Sequence, residues 1–319
     1  MHEVLERLDA LSDVFVDGQR KSELIGRLPD SVAEAMRESG VIRMLQPRDF
    51  GGYEASPVDF GEAVMKVASM HGGAGWVAGV VGVHPWEVAQ MDRSVQEEVW
   101  GDDPDTWVAS AYALFGRARK VDGGYVLSGQ WPYSTGTDQC DWLFLGGLEV
   151  DGAGDVANPT NGLHFLLKRG EYEIVEGSWE VMGLAGSGSK DVIVRETFIP
   201  DVRVMRAADL FHGIAARRVG RLSPLYFMGF GTVFPVAITA GTIGLAQGVL
   251  DNFVAYTRDR VTQRRGKASD DPYQQAALGQ AAAEPMYQAY ALHQFGAEIP
   301  PILRVGSTPP SETIDVEWQ

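Results

Sequence analysis

The sequence predicts an α+β protein in which a helical segment, an antiparallel β segment and a second helical segment follow one another along the chain. Three observations predict it. Apolar residues recur every three or four positions up to about residue 105. From Thr106 the rhythm changes to short runs of period two or of continuous apolar character. Beyond Pro200 helical spacing returns, with no charged residue from Leu222 to Leu250. The corresponding units are residues 1–105 (helical), 106–205 (β) and 206–319 (helical).

In the first unit, Val4, Leu5, Leu8, Leu11, Val14 and Phe15 lie at helical spacing, and Leu28 to Met44 repeats the pattern with Pro29 near a helix start, where proline is tolerated. Gly51-Gly52 marks a turn. The stretch Pro57 to Gly82 is again helical but rich in Gly and Ala, which lets a neighbouring helix or a ligand approach closely. Trp76 and His84, eight residues apart, share one face if that helix is unbroken. In the second unit the runs are TWVASAY, GRARKV, GYVLSGQW, DWLFLGGL, HFLLKR and DVIVRETFIP. Gly123-Gly124, Asp151-Gly152 and Asn161-Gly162 stand between runs, as hairpin chemistry requires. A polar linker, RAADLFHG, then leads to the third unit. Its uncharged run has the length of a membrane span, but Pro224, Pro235, three Thr and repeated Gly interrupt it and no basic asymmetry flanks it. It reads as a helix buried on all sides of a protein interior.

A net charge of −16 argues against nucleic acid or an anionic membrane as partner, since both need a basic face, and favours a neutral or weakly polar small molecule. Cys140 is the only cysteine, which excludes an intramolecular disulfide and a cysteine-based metal site and fits a reducing cytoplasm. The N-terminus is charged and amphipathic, unlike a secretory signal. No GxGxxG after a strand, Walker loop, HExxH or GxSxG occurs, so nicotinamide-binding, nucleotide-hydrolysing, zincin and α/β-hydrolase readings have no support, and no metal site is expected.

Two loops carry the candidate chemistry. Gly129 to Trp142 (GQWPYSTGTDQCDW) and Trp179 to Ser189 (WEVMGLAGSGS) each join a tryptophan to a cluster of glycine and hydroxyl residues. Backbone N–H groups and Ser/Thr oxygens in such loops can meet the edge of a flat polar heterocycle that an aromatic face covers. Taken alone, each loop is equally consistent with ordinary strand ends and turns. His84 suits acid/base work by its near-neutral pKa, although a histidine in an apolar stretch is more often structural; His71 has a weaker claim. Arg258, Arg260, Arg264 and Arg265 form either a solvated helix end or an anchor for a cofactor phosphate.

The helix–β–helix order, with GYVLSGQWPYSTGTDQCDW on the β unit followed by SWEVMGLAGSGSKDVIVRETFIP, resembles the acyl-CoA dehydrogenase fold in its flavin-dependent monooxygenase branch. GWVAGVVGVHPW, RSVQEEVWGDDP and EYEIVEGSWEVMGLAGSGS are more closely similar to the oxygenase components of secosteroid phenol hydroxylases of bacterial sterol degradation. The likeness runs from about Leu28 to Pro272. It implies that Trp76 and the pair Ser134/Thr135 sit at a reduced FMN or FAD with a hydroxyl near N5, and that Ser187 and Ser189 line its phosphate or ribityl side. It implies too that Arg260 reaches the flavin of a neighbouring subunit, and that His84 and Ser110 face a phenolic substrate. Ortho-hydroxylation through a C4a-hydroperoxyflavin, which needs a dry pocket, then uses O2 and a flavin reduced by a separate NAD(P)H-dependent reductase. Relatives in this family form homotetramers.

Two departures from the family pattern stand out. The usual GTGS is Gly186-Ser187-Gly188-Ser189 here, which keeps a hydroxyl. The family's C-terminal Trp-Arg-Asp-x-His motif is missing, His293 does not substitute for it, and segments are expected to be absent near Glu284-Pro285 and near Val305-Gly306. Two further readings remain beside the monooxygenase: a flavin dehydrogenase of the acyl-CoA type, and an inactive homologue that keeps the fold.

Overall fold

A computed structural model describes residues 2–258, 260–261 and 267–297. The N-terminal region contains α1 (Glu3–Ala10), α2 (Ser12–Ile25), α3 (Asp30–Ser39), α4 (Pro57–Met70), α5 (Gly72–Val88) and α6 (Arg93–Trp100). Side-chain caps mark four of the starts: His2 accepts from Val4 N, Ser56 from Asp59 N, His71 from Ala74 N and Asp92 from Ser94 N. Gly26 and Gly40 close α2 and α3 in the left-handed conformation, where a Cβ is costly. The helical stretch expected over 57–82 is two helices, because His71 adopts an extended backbone between them. Beyond that break α5 runs unbroken from Gly72 to Val88 and carries both Trp76 and His84.

His71 does structural work. Its Nδ1 accepts from Ala74 N at 3.1 Å, so the ring proton sits on Nε2 and is donated to Ser22 Oγ at 2.7 Å; Ser22 in turn donates to Gly18 O. This ties α2 to the first turn of α5.

The sheet comprises β1 (Val108–Val121), β2 (Gly124–Ser134), β3 (Trp142–Val150), β4 (Leu163–Lys168), β5 (Glu173–Val175), β6 (Lys190–Pro200) and β7 (Val204–Arg206), in the order β5-β6-β2-β1-β3-β4-β7. TWVASAY and GRARKV belong to one strand, β1, whose register against β3 breaks between Ala111 and Gly116. Trp131 Nε1 spans that break, donating to Ala113 O and Gly146 O. The sheet is mixed, which corrects the antiparallel expectation: β1 and β3 pair in parallel, while the other pairs are antiparallel. The reason is topological. β2 turns back on β1 through Asp122-Gly123, and β3 then returns on the far side of β1, running in the same direction as it. Turn residues reveal the hairpin but not the strand that the chain skips.

Beyond the sheet follow α7 (Ala207–Phe211), α8 (Ile214–Arg218), α9 (Phe230–Arg258) and α10 (Pro272–Ala297). The expected polar linker is thus partly α7. α9 is the one helix among the described residues long and apolar enough to cross a membrane. Its glycines explain its composition: a Cβ on Gly244 would lie 2.3 Å from Met65 O, and one on Gly248 would lie 2.4 Å from Ser69 O, so α9 meets α4 backbone to backbone. The opposite face leaves Val249, Phe253 and Tyr256 exposed, so α9 is covered on one side rather than all round.

Candidate active site

The two loops singled out in the sequence meet because β2 and β6 pair, with Ser134 opposite Lys190. Gly136 N donates to Ser187 O at 3.1 Å. Thr135 Oγ1 lies 2.9 Å from Ser189 Oγ, which lies 2.8 Å from Ser187 Oγ, forming a string of three buried hydroxyls. Ser134, fully buried, accepts from Thr137 Oγ1 at 2.5 Å and keeps its own proton to donate. Left-handed backbone at Tyr133 and Leu184, which carry side chains, marks both loops as places where the fold imposes strain. Trp179 donates to Leu184 O and Ala185 O, and its ring meets Tyr133 edge-on at 6.0 Å.

Both loops lie along α5. A Cβ on Gly73 would come 3.0 Å from Gly186 C, and one on Gly136 would come 3.1 Å from Val77 and 3.2 Å from Val81. Trp76, half-buried on the same helix, borders Gly241 of α9. The donor set fits a flavin: neutral hydroxyls able to donate and accept, backbone amides of a glycine-rich loop, and an indole alongside. Arg260 does not join them within the chain. It lies past the end of α9, exposed, with its guanidinium over the Tyr256 ring of that helix and its N–H on Thr257 O. Arg264 and Arg265 lie outside the described residues.

About 12 Å further along α5, at 1.5 Å per residue from Trp76, stands His84, fully buried. Its Nδ1 is 2.5 Å from Val108 O; a carbonyl only accepts, so Nδ1 carries the proton. Nε2 is then a bare lone pair, buried and without a partner. Burial pushes this imidazole down to about 4, so it is neutral at physiological pH. Ser110, on β1, is buried, and its hydroxyl favours the charged form of the Tyr112 phenol, against the larger effect of burial. Tyr112 meets His84 edge-on at 5.8 Å, and Phe144, Phe230 and Phe234 complete the aromatic wall around Tyr112.

One part of this wall is not visible in the sequence. Glu87, one turn beyond His84 and 1% exposed, accepts from Tyr112 at 2.5 Å through Oε2 and from His164 Nδ1 at 2.7 Å through Oε1. Burial, and then the Glu87 charge, raise the Tyr112 phenol well above its ordinary value, so it stays protonated and donates. The available signal was a polar residue inside an apolar run: Glu87 in VHPWEV and His164 in HFLLK.

The two neutral histidines predict a pH dependence. His71, like His84, is lowered by burial to about 4 from an ordinary 6.5, so between those values the unfolded chain binds more protons than the folded one. The stability they contribute is complete above 6.5 and is lost as the pH falls. Between pH 7.5 and 5.5 the loss is about 3 kcal/mol for the two together. Urea unfolding at both pH values checks this, and equal stabilities would refute it.

Three comparisons bear on this geometry. The family described as acyl-CoA dehydrogenase, C-terminal domain, matches residues 236–294. A pigment production hydroxylase of Rhodococcus erythropolis is 47% identical over 284 residues, 89% of this chain and 72% of that protein. The flavin-dependent monooxygenase oxygenase subunit HsaA of Rhodococcus jostii (strain RHA1) is 36% identical over 314 residues, 94% of this chain and 81% of that protein. Among solved structures, the 3-HSA hydroxylase from Rhodococcus sp. RHA1 superposes with a TM-score of 0.85 at 35% identity, over 95% of this chain and 80% of that one. With that likeness over nearly its whole length, the chain belongs to the oxygenase components of flavin-dependent monooxygenases built on the acyl-CoA dehydrogenase fold.

Proposed function

We propose that the protein hydroxylates a phenol, of which a secosteroid phenol is one candidate, at the carbon ortho to the phenolic oxygen. The observation that carries this reading is His84 Nε2, a buried acceptor with no partner, set in an aromatic wall. Reduced FMN or FAD, with O2, supplies the electrophilic oxygen when bound; a separate NAD(P)H-dependent reductase delivers it in the cytoplasm. The chain's own residues do the rest. Trp76, Ser134 and Thr135 would hold the flavin's ring system, the two hydroxyls offering it hydrogen bonds, and Ser187 and Ser189 would hold its phosphate or ribityl side. His84 Nε2 accepts the phenolic proton, which leaves the ring electron-rich at the ortho carbon, and Ser110 orients the phenolic oxygen. Phe144, Phe230 and Phe234 keep water from that end of the pocket.

A dehydrogenase of the acyl-CoA type needs a free carboxylate base. Glu87, the carboxylate in this wall, is occupied by two donors. Arg260 is proposed to reach the flavin of a neighbouring copy, which links flavin binding to assembly as a homo-oligomer.

The test is anaerobic titration with reduced flavin, followed by a pulse of 18O2 with a phenol and with its methyl ether. Incorporation of one labelled oxygen into the phenol only is the expected result; hydrogen peroxide with no product from either compound overturns the reading. The same titration on Arg260→Ala, followed by light scattering, tests the shared site, which fails if both affinity and assembly are unchanged.

A further inference from the structure

We propose that Glu87 is a positioning residue for this reaction: held by Tyr112 and His164, its carboxylate stabilises the charge that His84 acquires when Nε2 takes the substrate's proton. The inference rests on the function proposed above and concerns the atom that reading leaves unexplained. In the proton step the phenolic O–H bond breaks, its electron pair stays on the oxygen and an Nε2–H bond forms. The Nδ1 proton stays on Nδ1, donated to Val108 O, so His84 becomes an imidazolium in a fully buried position. An isolated buried cation is costly, and an uncompensated one would make His84 too weak a base to act.

The groups around His84 show where compensation comes from. Its titratable neighbours are Glu87 from α5, Tyr112 from β1 and His164 from β4; Phe144 of β3 contributes only a ring. Of these, only Glu87 is a carboxylate, and the Tyr112 phenol is held protonated by its burial. It sits three residues beyond His84, on the same side of α5. Tyr112 bridges the two, its ring edge-on to His84 and its hydroxyl on Glu87 Oε2. His164 takes the other carboxylate oxygen, and its ring is 4.6 Å from that of Tyr112. Both carboxylate oxygens are therefore fixed by donors from the sheet, so the charge is oriented before the proton arrives. The hydrogen bonds of this network and those of the hydroxyl loops are separate sets.

Two substitutions separate this role from a merely structural one. Glu87→Gln keeps the shape and removes the charge. The acid limb of the pH profile for phenol hydroxylation should move down by about one pH unit, because His84 loses its proton more readily. The plateau rate should fall roughly threefold or more, with KM nearly unchanged, because a weaker base transfers the proton more slowly. Tyr112→Phe removes only a hydroxyl; the carboxylate then loses a donor, its charge bears more fully on His84, and the limb should move up.

NMR titration of the flavin-free chain labelled with 13C-histidine reads the same shifts directly, with His84 assigned by the signal lost in His84→Gln. Limbs and titrations that stay where the parent has them, or that move the same way in both variants, overturn the proposal. A parent that hydroxylates no phenol sinks the function above instead, and the NMR titration still decides this inference.

Discussion

His84→Ala should lower kcat/KM for phenol hydroxylation about a hundredfold, equivalent to about 2.7 kcal/mol of transition-state stabilisation, while the affinity for reduced flavin stays within twofold. The separation is expected because His84 touches β1 through Val108 O and the aromatic wall through Tyr112 and Phe144, whereas the hydroxyl groups proposed to hold flavin cluster at the other end of α5. Alanine leaves an imidazole-sized cavity in a fully buried position, so the variant loses stability as well. Added imidazole distinguishes the two losses. If the ring acts as a base, imidazole should restore part of the hydroxylation rate and shift the acid limb toward the pKa of the free compound. Hydroxylation at the parental rate in His84→Ala, with flavin bound, would remove this residue from the mechanism.

The second large effect is expected at the flavin edge. Ser134→Ala combined with Thr135→Val should raise peroxide release per product formed about tenfold, since a hydrogen bond to a buried polar group is worth about 1 to 3 kcal/mol. The structure separates the contributions of the two side chains. Thr135 belongs to the string that runs through Ser189 to Ser187, whose last two members still bond each other when Thr135 is lost. Ser134 stands in a different bond, to Thr137, and retains a proton of its own. Ser134→Ala alone should therefore account for most of the uncoupling and Thr135→Val for little. Oxygen consumption measured beside product formation checks this, and a coupling ratio unchanged in the double variant rules out a role for either hydroxyl at the flavin.

Much of this protein is determined within short stretches of its sequence. The change from spacing of three and four to spacing of two near Thr106, and back again after Pro200, places the helices and the strands, because one period suits a helix packed on one side and the other a pleated sheet. The two Gly- and hydroxyl-rich loops and His84 stand out for the same local reason: their composition departs from that of their surroundings. Tertiary structure decided the rest. The parallel pairing of β1 with β3 depends on which side of β1 the chain returns to, and no turn residue records that. His71 looked like a weaker version of His84, yet contact with Ser22 and the Ala74 amide makes it a helix cap, while Val108 O leaves His84 with an open nitrogen. Glu87, Tyr112 and His164 come from α5, β1 and β4, 25 and 77 residues from one another in the pairs that bond. Each looks like an isolated polar residue in an apolar run until the sheet and helix pack. What makes them a site is the low-dielectric interior in which they meet, where a buried carboxylate must find its donors and a buried imidazole its counter-charge.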